Sequence, residues 1–142
     1  MKTLKKFTAL LLGVCLIFCF VGCGDSDDAY DNFKPVGVEV IDCVRGDNYE
    51  VNIEDEDTAK ELWSLYKSLE INEDSTAEMG TSYLYLRFYN KDASVEAIFT
   101  IYENGACCLG TEYETFYTVT GGSAAYIDMC EIYEMYVAEQ EQ

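Results

Sequence analysis

Residues 81–90 read TSYLYLRFYN and residues 93–102 read ASVEAIFTIY, with Asn90, Lys91 and Asp92 joining them. In the first run Leu84, Leu86 and Phe88 alternate with Tyr83, Tyr85, Arg87 and Tyr89. A period of two sends successive side chains to opposite faces of a strand. The second run answers with Val95, Ala97, Phe99 and Ile101 on one side and Glu96, Ile98, Thr100 and Tyr102 on the other. Two such runs joined by an Asx-rich turn predict an antiparallel hairpin with one apolar face and one face rich in tyrosine. Leu84, Leu86, Phe88, Val95, Phe99 and Ile101 are expected to line the core, each stabilising by about 1.5–3 kcal/mol when buried.

Working outward toward the N-terminus, residues 36–44 (VGVEVIDCV) alternate Val36, Val38 and Val40 with Gly37, Glu39 and Ile41, and their β-branched content favours a strand. Arg45-Gly46-Asp47-Asn48 supplies turn chemistry, and residues 49–53 return as the second arm of a hairpin. From Thr58 to Glu70 the apolar residues Ala59, Leu62, Trp63, Tyr66 and Leu69 recur at helical spacing. The acids at 54–57 stand where carboxylates cap free N–H groups and oppose the positive pole of a helix. Residues 71–80 are polar enough to be expected as a mobile loop.

Beyond the central hairpin, residues 103–105 signal a turn, 106–109 a short strand and 113–120 a last strand with Tyr113, Thr115, Tyr117 and Val119 on one face. Gly121 and Gly122 break the sheet, Ser123 is placed to cap a helix, and Tyr126, Met129, Cys130, Tyr133, Tyr136 and Val137 keep helical spacing to Glu139. The order β-β-α-β-β-β-β-α predicts an α+β fold. An antiparallel sheet of about five to six strands would carry two amphipathic helices mainly on its Leu84/Phe99 face.

The N-terminus is of a different kind. Lys2, Lys5 and Lys6 precede an apolar run from Phe7 to Phe20, interrupted only by Thr8 and Gly13, and Val21-Gly22-Cys23 ends it with small residues. This is the layout of an export signal, and the run is shorter than the roughly 20 apolar residues of a membrane span. Phe20-Val21-Gly22-Cys23 resembles the lipobox of bacterial lipoproteins, with Phe where that family usually has Leu. Together with the acidic stretch that follows, it is similar to small surface lipoproteins of Gram-positive bacteria. The resemblance implies cleavage after Gly22, a diacylglyceryl thioether on Cys23, and a protein held by lipid at the extracytoplasmic face of the cell membrane. The expected organisation is a signal peptide at 1–22, a lipidated acidic tether at 23–35 and one domain at 36–142. Asp25, Asp27 and Asp31 have the odd spacing of a calcium loop, but Tyr30 and Val36 stand where the turn glycine and the bidentate Glu belong.

Removing 1–22 takes away three of the nine basic residues and none of the 27 acidic ones, leaving six against 27, a net charge of −21. Such a surface repels nucleic acid and anionic headgroups and suits basic partners or cations. With no histidine in the chain, Ser-His-Asp and Cys-His catalysis and the usual zinc hydrolase sites are closed, and no phosphate-binding glycine motif occurs. No enzyme, cofactor or metal site is therefore expected. Cys43, Cys107, Cys108 and Cys130 remain after cleavage; they permit a disulfide in an exported domain but do not require one, and buried thiols or one structural bridge are expected. Cys107 and Cys108, as strand neighbours, should point to opposite faces.

The surface feature above background is tyrosine, with all 12 after the signal. Tyr83, Tyr85 and Tyr89 share a strand face with Arg87, and Tyr102 and Tyr117 would extend it from neighbouring strands. Tyrosine offers rigid amphipathic area and Arg a fork for carboxylate. The functional expectation is a non-catalytic, monomeric binding or accessory module whose candidate surface is this face. Its ligand would be a basic or envelope protein, a peptide or a glycan. The alternatives are an acidic domain responsive to divalent cations and a thiol redox protein using Cys107 and Cys108.

Overall fold

The computed structural model describes residues 32–94, 96–111 and 115–142. The expected signal at 1–22, the expected lipidation site Cys23, residues 23–31 of the expected tether, Val95 and Tyr113 lie outside the described residues. The folded unit runs from Lys34 to Gln142. It contains β1 (Gly37–Val44), β2 (Asp47–Ile53), α1 (Glu56–Ser68), β3 (Ile71–Glu73), β4 (Tyr83–Tyr89), β5 (Glu96–Tyr102), β6 (Ala106–Leu109), β7 (Tyr117–Val119) and α2 (Ser123–Gln140). The strands form one antiparallel sheet in the order β2-β1-β4-β5-β6-β7-β3, so the class is α+β as the alternation predicts.

The central hairpin keeps its expected faces. Leu84, Leu86 and Phe88 are fully buried, and directly opposite them on β5 stand Ile101, Phe99 and Ala97. On the other flank of β4 the same row continues into Val40 and Val38 of β1, and Val38 in turn faces Ile53 of β2. Both helices lie on this face. α1 contributes Ala59, Leu62 and Trp63, and α2 contributes Ala125, Met129 and Tyr133 at intervals of four. The rings interlock: Trp63 meets Phe88 edge-on at 5.1 Å between centroids, and Tyr66 meets Phe99 at 4.8 Å. Aromatic pairs at this spacing add to the gain from burial. Among the described residues no helix is long and apolar enough to cross a membrane.

Three expectations are corrected. The sheet has seven strands because residues 71–73 pair with β7, Ile71 opposite Val119 and Glu73 opposite Tyr117. Asn72 and Glu73 are polar, so the segment shows no alternation; backbone pairing holds it, helped by Thr120 N–H donating to the Glu70 carbonyl at 2.9 Å. The remainder of the expected mobile loop folds over the sheet. Asp74 Oδ1 accepts from Thr76 N and Oγ1 at 2.9 and 2.6 Å, an Asx turn, and Asn104 Nδ2 donates to the Glu78 carbonyl at 2.8 Å. Finally, Ser123 does not cap α2: the capping position is Gly122, at φ 62° and without a side-chain bond. A glycine is needed close by as well, since a Cβ on Gly105, itself at φ 85°, would stand 2.6 Å from the Gly122 Cα. Helix α1 behaves as expected but starts earlier, with Asp55 as the capping residue accepting from Thr58 N at 2.8 Å.

Phe88 joins the sheet to α1 through two ring contacts and is fully buried. Phe88→Ala is expected to destabilise the domain by about 3–5 kcal/mol. Urea unfolding should show a lower midpoint with an unchanged slope; an unshifted midpoint would contradict the packing described.

Candidate functional site

The face of β4 opposite the helices carries Tyr83, Tyr85, Arg87 and Tyr89, all half-buried, so the tyrosine row exists as a row. Its members are knitted into the sheet. Arg87 lies directly opposite Glu39 of β1 and donates from Nη1 to Glu39 Oε2 at 2.6 Å and from Nη2 to Glu96 Oε1 at 2.6 Å. The guanidinium thus bridges carboxylates on both flanking strands, and the fork that would receive a ligand carboxylate already holds two of the protein's own. Tyr89 lies opposite Gly37, where an added Cβ would clash with the hydroxyl end of the tyrosine ring, and its hydroxyl donates to Asn52 Oδ1 at 3.0 Å. An aromatic ring laid over a strand glycine fills the gap that the missing side chain leaves.

At the other end of the row the folded-back loop takes over. Tyr83 tilts against Tyr102, its cross-strand partner, at 5.5 Å. Tyr102, Ala106 and Cys108 form a second, smaller apolar cluster with Ala77, Tyr83 and Phe116 packed on it, and the Tyr102 hydroxyl reaches Met79 Sδ at 3.0 Å. Tyr117 does not extend the row. It pairs with Cys107, which lies opposite Ile101, so it belongs to the helix side.

The same register explains the cysteines. Cys107 lies in the main core beneath the helices, whereas Cys108, opposite Thr100, lies in the second cluster. Neighbours on one strand are buried on opposite faces because both faces are covered there. All four described cysteines are free thiols, Cys43 and Cys130 included. Burial pushes Cys107 up to about 12, with Cys108 beside it adding to the effect, and burial also raises Cys108. Cys130, on α2, is pushed up to about 11 by burial, against a hydrogen bond with Tyr126.

Several acidic groups are tied up by local partners. Asp55 is held below the usual carboxylate range by its bonds from Thr58, and Glu56 pairs with Lys60 at 2.6 Å. Among the described residues no three Cys, Asp or Glu side chains come together in a metal-binding group. Asp42 lies on the helix face of β1, opposite Leu84, and its Oδ1, like Glu103 Oε2, is buried with no hydrogen-bond partner among the described residues. Burial, and then the nearby Glu134 of α2, raise its pKa above 3.8.

The sequence reading missed the cleft between the two helices. It measures about 670 Å³, with Leu65 of α1 and Ile132 and Met135 of α2 forming an apolar floor. Glu61, Asp128 and Glu131 stand around it, with Ser64 and Ser68. A smaller recess of about 130 Å³ adjoins it at Thr58, Tyr136 and Glu139. Among the described residues no basic side chain lines either space. The signal was present in residues 123–140: once Ala125, Met129 and Tyr133 face the core, Met135 is left 66% exposed in the cleft lining, and Ile127, 50% exposed, lies outside that lining on the outer side of the helix. A helix apolar on more than one side has more to cover than its own sheet provides.

Two outcomes follow from these environments. Because the native state keeps the Asp42 proton to higher pH than the unfolded chain does, stability falls as pH rises from 3.8 through the raised native value, and stays lowered above it. Asp42→Asn should therefore raise the melting temperature at pH 7 and change it little at pH 3, whereas a fall at pH 7 would contradict the assignment. In native protein at pH 8, Cys107 and Cys108 should resist maleimide over hours and react at once after denaturation, followed by mass spectrometry.

The chain has no significant match to any known protein family, to any curated protein or to any solved structure.

Proposed function

We propose that this protein is a lipid-anchored, extracytoplasmic binding module that works by holding a partner rather than by transforming a substrate. The address rests on residues 1–23, whose basic start, apolar run and Gly22-Cys23 ending resemble a lipoprotein signal. Two acyl chains on Cys23 meet the requirement for lasting attachment. The acidic residues at 25, 27, 28 and 31 would repel one another and hold the tether extended.

The single observation that carries the binding reading is helix α2, which packs one side on the sheet and presents Ile127 and Met135 outward. The alternatives have less behind them. A redox centre needs an accessible, stabilised thiolate, and Cys107 and Cys108 are sealed and pushed the other way. A cation response needs converging carboxylates, whereas Asp55, Asp74 and Asp92 each bond to a neighbouring Thr or Ser. The tyrosine face offers area, but Arg87 is occupied by Glu39 and Glu96.

Two measurements test the reading. An alkyne fatty acid fed to cells should label the protein, and Cys23→Ser should abolish the label; a labelled Cys23→Ser protein would refute the anchor. A photo-cross-linking residue placed at position 127 should give a discrete adduct on intact cells, while the same probe at the exposed position 50 of β2 should not. Equal adducts from both positions, or none, would count against a binding face on α2.

A further inference from the structure

Within that binding reading, the geometry points to a cationic amphipathic helix of a partner protein as the occupant of the cleft between α1 and α2. The floor and the rim ask for different chemistry. Leu65, Ile132 and Met135 need apolar cover, and Met135, two-thirds exposed, has the most to gain. Glu61, Asp128 and Glu131 surround that floor, with no basic side chain among the described lining residues. A neutral apolar occupant would bring its edges against carboxylates without answering them. An occupant with apolar residues along one stripe and Lys or Arg on both flanks satisfies floor and rim together, because the long stems of basic residues cover apolar surface while their charges reach the rim.

The shape favours a helix. The lining residues of α2 run from Asp128 to Glu139, about 16 Å along its axis at 1.5 Å per residue, which matches three turns of a partner helix. Anchors at i, i+3 or i+4, and i+7 would then meet the floor in succession. Other occupants meet the same charges with the wrong sign. A second copy of this chain brings Glu61, Asp128 and Glu131 against their own equivalents, and an anionic membrane surface brings phosphates.

The test uses the full-length protein in neutral phosphatidylcholine nanodiscs and a fluorescent synthetic helix of about five turns with leucines on one stripe and lysines on both flanks. Its controls are a scrambled peptide of equal charge and a peptide with the same leucines but glutamates on the flanks. Anisotropy should show binding of the first peptide alone, weakening as salt screens the rim. Met135→Asp, and separately Asp128→Lys with Glu131→Lys, should each weaken it by at least about tenfold, while Glu50→Ala leaves it unchanged. Circular dichroism checks that each variant is folded, and these exposed positions leave the core intact.

Equal binding of the scrambled peptide would overturn the proposal by reducing it to charge adsorption. Self-association, or adsorption to phosphatidylserine vesicles, that Met135→Asp abolishes would overturn it in favour of another occupant. An adduct from position 127 on cells combined with no peptide binding would refute the cationic helix and leave the binding module standing. Loss of both would remove both.

Discussion

The rings of Trp63 and Tyr66 close on Phe88 and Phe99 at centroid distances of 4.8–6.3 Å, and this contact fixes the helical layer on the sheet. Phe88 can take part because β4 alternates without interruption, so that its apolar residues all turn toward the helices while its tyrosines turn away. With α1 seated there, α2 takes the remaining length of the same face through Met129 and Tyr133 and lies beside α1. The cleft between the helices is therefore a product of the core. It exists because two helices seated on one sheet meet along a line without filling the space above it.

The sheet is unusual in using both faces in different ways along its length. Under the helices the burial is apolar and continuous from Ile53 through Val38, Phe88 and Ala97. On the reverse, one end is a small apolar cluster beneath the 74–82 segment, and the other is a polar weave of Glu39, Arg87 and Glu96 with Tyr89 over Gly37. The half-exposed ion pairs in that weave contribute little each, and their effect is to fix the positions of three neighbouring strands.

Where side-chain period carried the information, the sequence was sufficient. Strict alternation in 83–89 and a stripe at 59, 62, 63 and 66 located β4 and α1, and the turn at Arg45-Gly46 located the first hairpin. β3 was hidden because three residues, two of them polar, have no period to read, and its pairing to β7 lies in the backbone. The fold-back of 74–82 was hidden too: its polar residues bond to one another and to Asn104 and Glu103, so polarity meant local structure and not mobility. The tyrosine face was legible as a face. That Arg87 would be engaged was not, since Glu39 and Glu96 become its neighbours only when β1 and β5 flank β4. In α2 attention to one stripe concealed a second, because apolar residues on several sides cancel any single direction.

The strand order has a consequence for what can reach this sheet from the side. Among the described residues its two open rims are β2 and β3, and a sheet rim is where another chain adds itself by backbone pairing. β3 is three residues long, too short a template to hold a newcomer, and β2 carries Asp47 and Glu50 and runs into Glu54 and Asp55, which burden any acidic strand laid against it. Fibrous growth by stacking of identical copies is thereby discouraged at both ends, even at high protein concentration.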